Sequence, residues 1–527
     1  MKRAVLLLFL GCASTSEARP SSPLGTNLVA MKSYSGEWVW KDAFHQAAFW
    51  RSESQPGVED PRPLRYGKDG WITSLEPGQR AVARLFAVDG MSFPSGVYSV
   101  SWEGSGTVVL EGGRVIGTQA RGAQLDVAGT PGGFAVVITA TDPKNPIKNI
   151  KALMPGGTCA NDDHAYCARD PECGASVKCV PFAQTVDRLP FHPTFLASNE
   201  PYSVLRFMHW GDTIGSEVRT WSERPPLNGS MWTPLGVPYE LMVDLSNHLK
   251  TDMWITIPPL ADDDFVRQLA TLLKTKLDPA LKVYVEYGNE IWNGAYPDGA
   301  MMGKKGLELG LSKDPWEAML KYYSKRAIQM FEIFSKVMPD RIVRVLAGQS
   351  ANERVAQIEL EGIGPDSIDA FAIAPYFGDG LGSEKALPRV LKSTPDEIVA
   401  ALEKDFVPEA IAGVKRHATL LAKLDKGRKK PIDLIAYEGG QHLVGIGPVQ
   451  NEERVTKLFL EANRSPKMKK VYLDYLAAWK ASGGGLFMHF VHTRLPTKWG
   501  AFGLIDKPGD KSPKLDAVLT YIRENPR

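Results

Sequence analysis

The chain has 527 residues, 43 % of them hydrophobic and 23 % charged, with 62 Lys and Arg against 60 Asp and Glu. These proportions exclude a disordered or fibrous chain, and the near-neutral balance gives no support to nucleic-acid binding, which needs a basic patch or stripe. The length suits about three domains, or one large barrel with insertions.

Residues 1–18 read as an export signal. Lys2 and Arg3 precede an unbroken apolar run from Ala4 to Leu10, too short to span a bilayer, and Ser16-Glu17-Ala18 offers small residues for cleavage. Leu10-Gly11-Cys12 also resembles a bacterial lipoprotein cleavage site, in which Cys12 would carry the lipid. The expected location is therefore extracellular, periplasmic or lipid-anchored at the cell surface. A lipid on Cys12 is the one membrane contact expected, since no other run is long enough to cross.

Residues 24–60 begin with LGTNLVAM, a strand candidate. WVWKDAFHQAAFW follows, with helix-like spacing, and the two make a first βα unit. Over residues 61–155 the period changes. Short alternating segments such as AVARLFAV, GVYSVSWEG and GFAVVITAT, set between Gly-rich turns, predict a small β-sandwich. Residues 156–190 hold Cys159, Cys167, Cys173 and Cys179, with seven, five and five residues between neighbours. Zinc sites usually show a pair two to four residues apart, so these spacings predict two disulfides stapling a loop and no metal. Three connectivities are open.

From residue 191 to 527, apolar β-rich runs alternate with longer amphipathic stretches. The strand candidates are 203–209, 252–258, 282–288, 341–348, 368–376, 431–438 and 484–490. With the run at 24–31 they number eight. Eight βα units predict a (β/α)8 TIM barrel, with the all-β sandwich inserted after the first βα unit. An open doubly wound sheet is the alternative, but its glycine fingerprint is missing.

Active sites of such barrels lie at the carboxyl ends of the strands. Read in order, those ends carry Arg206, His209 and Trp210; Asp262 to Asp264; Asn289, Glu290 and Trp292; Gln349; Tyr376; Tyr437 and Glu438; and His489. The Asp262–Asp264 run reads as a helix start, where acidic residues are favoured. Glu290 and Glu438 terminate apolar strands, and an unpaired carboxylate is an expensive neighbour there.

VEYGNEIWNG together with AYEGGQHL resembles the clan A retaining glycoside hydrolases, the 4/7 superfamily. The wording of the motifs is similar to bacterial proteins often labelled cellulose-binding. The resemblance implies that Glu290, after strand four, is the acid/base and that Glu438, after strand seven, is the nucleophile. It implies double displacement on a β-linked oligo- or polysaccharide, with no cofactor. In retaining enzymes the two carboxyls stand about 5–5.5 Å apart, and the acid must hold its proton at rest, so the Glu290 pKa must exceed that of Glu438. A nearby anionic Glu438 pushes it that way. Asn289 is expected to bond a sugar 2-hydroxyl. Arg206 and Tyr376 match the clan's way of holding the nucleophile ionised and oriented. His489 and His209 are expected to bind sugar hydroxyls or tune a carboxylate. Trp292 and Trp499, just beyond catalytic-face strands, are the first candidates for a sugar platform.

Other chemistries find little support: GxSxG, HExxH and GxxxxGK[ST] are all missing. Two function classes stand: a secreted retaining glycoside hydrolase, or a non-catalytic carbohydrate-binding protein on an enzyme-like barrel.

Overall fold

Eight parallel strands close into a barrel in the order β1 (Leu24–Asn27), β2 (Val204–Arg206), β3 (Asp252–Ile257), β4 (Val283–Tyr287), β5 (Ile342–Ala347), β6 (Ala370–Ile373), β7 (Asp433–Ala436) and β8 (Gly484–His489). The computed structural model describes residues 22–526 apart from 33–34, 89–90, 128–131, 234, 365 and 427, so the expected export signal and Cys12 lie outside the described residues. β8 closes on β1 through Leu24 beside Phe487 and Thr26 beside His489.

Strand alternation sets which side chains enter the barrel. Met253, Ile255 and Ile257 of β3, Val283 and Val285 of β4 and Phe487 of β8 face outward into the large core beneath the helices. Val204, Trp254, Tyr284, Ile435, Tyr437, Leu486 and Met488 form a separate inner core. The helices follow their amphipathic stretches. In Asp263–Lys276 the apolar face of Phe265, Val266, Leu269, Ala270 and Leu273 is buried, and the Asp262 side chain accepts from the Phe265 amide at 2.7 Å, capping the helix as the acidic run predicts.

Between β1 and β2 the chain builds two antiparallel sheets. One orders Lys148–Leu153, Gly96–Glu103, Gly122–Val127 and Arg114–Gln119; the other orders Val58–Glu59, Arg51–Gln55, Arg80–Leu85, Phe134–Thr141 and Gly106–Glu111. Tyr98, Val100, Leu125 and Val127 from the first share a core with Leu85, Phe134, Val136 and Ile138 from the second.

The helix expected within residues 38–50 does not form. Only a 3-10 turn, Ala43–Gln46, is present, and Arg51–Gln55 already pairs with Arg80–Leu85 in the sandwich. Tertiary contacts override the helical spacing. Trp40 is buried against Phe191, Trp210 and Trp232, while Asp42 accepts from the amides of Phe44 and Ala152 and so ties this segment to the last sandwich strand. The cysteine-rich stretch is more than a loop. Gly157–Cys159 pairs with Asp162–Cys167 and with Cys179–Pro181, and disulfides join Cys159 to Cys173 and Cys167 to Cys179.

Candidate active site

Arg206 ends β2 with its side chain inside the barrel, fully buried. Its Nε and Nη2 donate to the two Glu286 oxygens at 2.9–3.1 Å. Nη1 donates to Asn27 Oδ1 and to Glu438 Oε1, each at 3.0 Å, and Nη2 donates to Asn289 Oδ1 at 2.9 Å. The guanidinium lies 5.2 Å from the Tyr437 ring centre and 5.6 Å from that of Trp254. One arginine thereby joins the ends of β1, β2, β4 and β7. A buried arginine is stable only when its donors are met, and here carboxylate and amide oxygens meet them.

Glu438 follows β7. Besides the Arg206 bond, its Oε2 accepts from the Tyr376 hydroxyl at 2.9 Å. Burial pushes the Glu438 carboxyl up, and the Arg206 charge and the Tyr376 bond oppose that push. Glu290 stands on a tight turn after β4. Gly288 has φ +67°, and a side chain there would strike Ile291; Glu290 itself has φ +48°. The left-handed region is costly for a residue with a Cβ, and such residues gather at functional sites. Glu290 Oε1 accepts from the Tyr437 hydroxyl at 3.0 Å. Its carboxyl is pushed up to about 7, first by burial and then by the neighbouring Glu438 charge.

The charge count explains the asymmetry. Two carboxyls, Glu286 and Glu438, share the Arg206 guanidinium, and a third, Glu290, has no bond to it. Glu286 takes two of its nitrogens and also the Trp254 Nε1 hydrogen at 2.7 Å. Glu438 takes one nitrogen and a hydroxyl. Glu290 has only a neutral hydroxyl donor, so it is the carboxyl that best keeps a proton. Burial drives the Tyr376 and Tyr437 hydroxyls well above the ordinary tyrosine value, so both stay protonated as donors.

The structure thus brings together Arg206, Asn289, Glu290, Tyr376 and Glu438. Trp292 stands half-buried on the wall of an adjoining cavity of about 370 Å³, whose lining includes Glu290, Gln349, Tyr376 and Tyr437. His209, after β2, faces Phe490 with ring centres 5.7 Å apart. Its imidazole is held down to about 3, first by burial and then by Arg206, Arg494 and Lys32, so it is neutral.

One expectation is corrected. His489 does not join the carboxylates. It has the parity of Phe487, which faces the helices, and its ring lies beside Tyr472 and the backbone of Gly440. Trp499 is 56 % exposed, has Lys498 over its ring and does not line the cavity.

Two residues at the centre, Asn27 and Glu286, escape a reading of strand ends alone, and Tyr437, which stands at one, is given no role by it. Asn27 also donates to the Tyr437 carbonyl at 2.9 Å. Glu286 carried a usable signal, because a carboxylate in the interior of the apolar strand VYVEY needs a buried partner.

No family model and no curated protein matches the sequence. Among solved structures, the chain is similar to the N-terminal endo-1,4-beta-D-xylanase 10B of Clostridium thermocellum, CBM22-1 and GH10 modules with xylohexaose, at 9 % identity and a TM-score of 0.38, over 93 % of this chain and 97 % of that one. It is similar also to a family 39 glycoside hydrolase from Bacteroides cellulosilyticus WH2, at 12 % identity and a TM-score of 0.34, over 84 % of this chain and 79 % of that one. Values this low do not bear on chemistry, which rests on the residues themselves.

Proposed function

We propose that the protein is an exported retaining glycoside hydrolase acting on a β-linked oligo- or polysaccharide, with Glu290 as acid/base and Glu438 as nucleophile. The supporting observation is the unequal setting of the two carboxyls. Glu438 accepts from a guanidinium and a hydroxyl, which favour its anion, while Glu290 is pushed up to about 7.

In the first half-reaction a Glu438 oxygen attacks the anomeric carbon. The glycosidic C–O bond breaks, and the Glu290 proton passes to the leaving oxygen. Once the glycosyl ester forms, the negative charge on Glu438 is gone and Glu290 is ionised. Its pKa falls with the loss of that repulsion, so it can take a proton from water. The water oxygen then bonds the anomeric carbon and displaces Glu438. The Asn289 amide oxygen accepts from Arg206, which orients the Asn289 Nδ2 hydrogens to donate to an acceptor such as a sugar 2-hydroxyl.

A screen of β-glycosides and polysaccharides with wild type and Glu438→Ala tests this reading. Turnover in the wild type that vanishes in the variant is expected. Carbohydrate binding with no turnover in either would overturn it in favour of a binding protein.

A further inference from the structure

Elements following β4 to β7 enclose the cavity of about 370 Å³, which Glu290 lines and Glu438 does not. In a double displacement the Glu290 proton goes to the leaving oxygen, so this cavity receives the leaving group. Its walls are partly apolar. Trp292 supplies one aromatic surface and Phe406 another. Phe406 ends a π-helical turn, Leu402–Phe406, that interrupts the helical run from Pro395 to Leu424. Such turns gather at functional sites.

Neutral polar groups complete the lining. Gln349 follows β5, and among the described residues nothing bonds its side-chain amide. His442, on the segment after β7, packs edge-to-face with Tyr376 at 5.6 Å and with Phe502 at 5.4 Å. Burial holds its imidazole below the ordinary value, against the pull of Asp379, so it is neutral. The charged lining is acidic on balance. Asp379 and Glu409 are exposed, and among the described residues neither pairs with a cation. Arg416 is the one cation among the described lining residues, and its Nε stands 3.3 Å from Glu353.

A side-chain amide and a neutral imidazole each offer a donor and an acceptor, which match a hydroxyl that is both. Aromatic walls with a few convergent polar groups make a small-molecule site. An anionic ring would meet two carboxylates and a cation already paired, and like charges brought together are costly. We propose that this cavity seats an uncharged sugar, with Gln349 and His442 bonding its hydroxyls, and that the protein transfers glycosyl units to such a sugar as well as to water. This rests on the glycosidase reading, which makes Glu290 the acid/base. A sugar that leaves through the cavity can also attack from it. Glu290, ionised once the ester has formed, takes the proton of the acceptor hydroxyl. The hydroxyl oxygen bonds the anomeric carbon, and the ester bond to Glu438 breaks.

The test uses the whole protein with β-glucosyl, β-galactosyl, β-xylosyl and β-mannosyl fluorides as donors, since fluoride leaves without filling the cavity. With a donor that is cleaved, added glucose, xylose or cellobiose is expected to give a transfer product. Glucuronate at equal concentration should give about tenfold less or none. Gln349→Ala and His442→Ala should each lower the ratio of transfer to hydrolysis by about tenfold, the effect of one lost hydrogen bond. The double variant Asp379→Asn, Glu409→Gln should raise transfer to glucuronate. No transfer to any neutral sugar, glucuronate accepted as well as glucose, or a ratio untouched in both alanine variants would overturn the proposal. Saturation-transfer NMR with the free sugars keeps it separate from the reading it rests on. Neutral sugars that bind, and bind more weakly in Gln349→Ala and His442→Ala, with no fluoride cleaved, would retain the sugar cavity and sink the hydrolase. Failure of every neutral sugar to bind, or binding indifferent to both variants, would sink the cavity.

Discussion

The Tyr437 hydroxyl donates to Glu290 Oε1 at 3.0 Å, although Tyr437 is the chain neighbour of Glu438. One dipeptide at the end of β7 thus presents a carboxyl of its own and orients the carboxyl that follows β4. The two glutamates are held relative to one another by a single rigid ring, and a shift of either strand end would disturb both.

Glu438→Ala and Glu290→Ala should fail in different ways. Loss of Glu438 should reduce turnover of every substrate by at least about a thousandfold, since both halves of the reaction need it. Loss of Glu290 should spare the first step on an activated aryl glycoside, whose leaving group needs no proton. Azide should then rescue Glu290→Ala and give a glycosyl azide of retained configuration. Any azide product from Glu438→Ala should be inverted. NMR of the products reads both outcomes, and the opposite pairing would exchange the two roles.

Activity should fall as pH rises through about 7, because Glu290 must carry its proton. The Tyr437 bond favours the ionised carboxyl, so Tyr437→Phe should raise the Glu290 pKa and move this basic limb upward, by about half a pH unit for one neutral hydrogen bond. A limb that moves down, or stays put, would separate it from Glu290. Stability follows the same sign. A carboxyl raised from its ordinary 4.5 to about 7 contributes most below 4.5, and its contribution is lost as pH rises through 7. Glu290→Gln should flatten that part of a plot of Tm against pH.

Arg206→Met should destabilise the fold by about 3–5 kcal/mol, because it strands Glu286 in the barrel without a counter-charge. Adding Glu286→Gln should recover part of the loss. Urea unfolding of the two single variants and the double measures the coupling. Purely additive losses would mean that the pair does not act as one unit.

Peptide mapping under non-reducing conditions should find Cys159 joined to Cys173 and Cys167 to Cys179. Each closes a loop of 12 to 14 residues, worth up to about 3 kcal/mol in the chain-entropy view. Reduction should lower Tm while turnover per folded molecule holds, since the module rests on the helix Pro193–Asn199 and touches none of the three carboxylates. Stoichiometric metal on these thiols would contradict the disulfides.

Local pattern was enough for much of this protein. All eight barrel strands were legible from apolar runs, because β-rich runs alternating with amphipathic stretches repeat within a few tens of residues. Glu290 and Glu438 were legible because carboxylates seldom end apolar strands without use, and Asn289 followed from the resemblance. Arg206 and Tyr376 followed from the resemblance at strand ends. What tertiary structure alone decided depends on residues far apart in the chain. Arg206 meets Glu286 and Glu438 across 80 and 232 positions, and no local period records such a meeting. The segment 38–50 carries helical spacing, yet burying Trp40 among Phe191, Trp210 and Trp232 holds it in another form. His489 sits at a strand end like the others, but strand parity sends it toward the helices, and a one-residue difference in register is enough to reverse a side chain's face. The cysteine spacing predicted two staples and left three pairings open; the three-stranded sheet selects one of them by bringing Cys159 within reach of Cys173 and Cys167 within reach of Cys179.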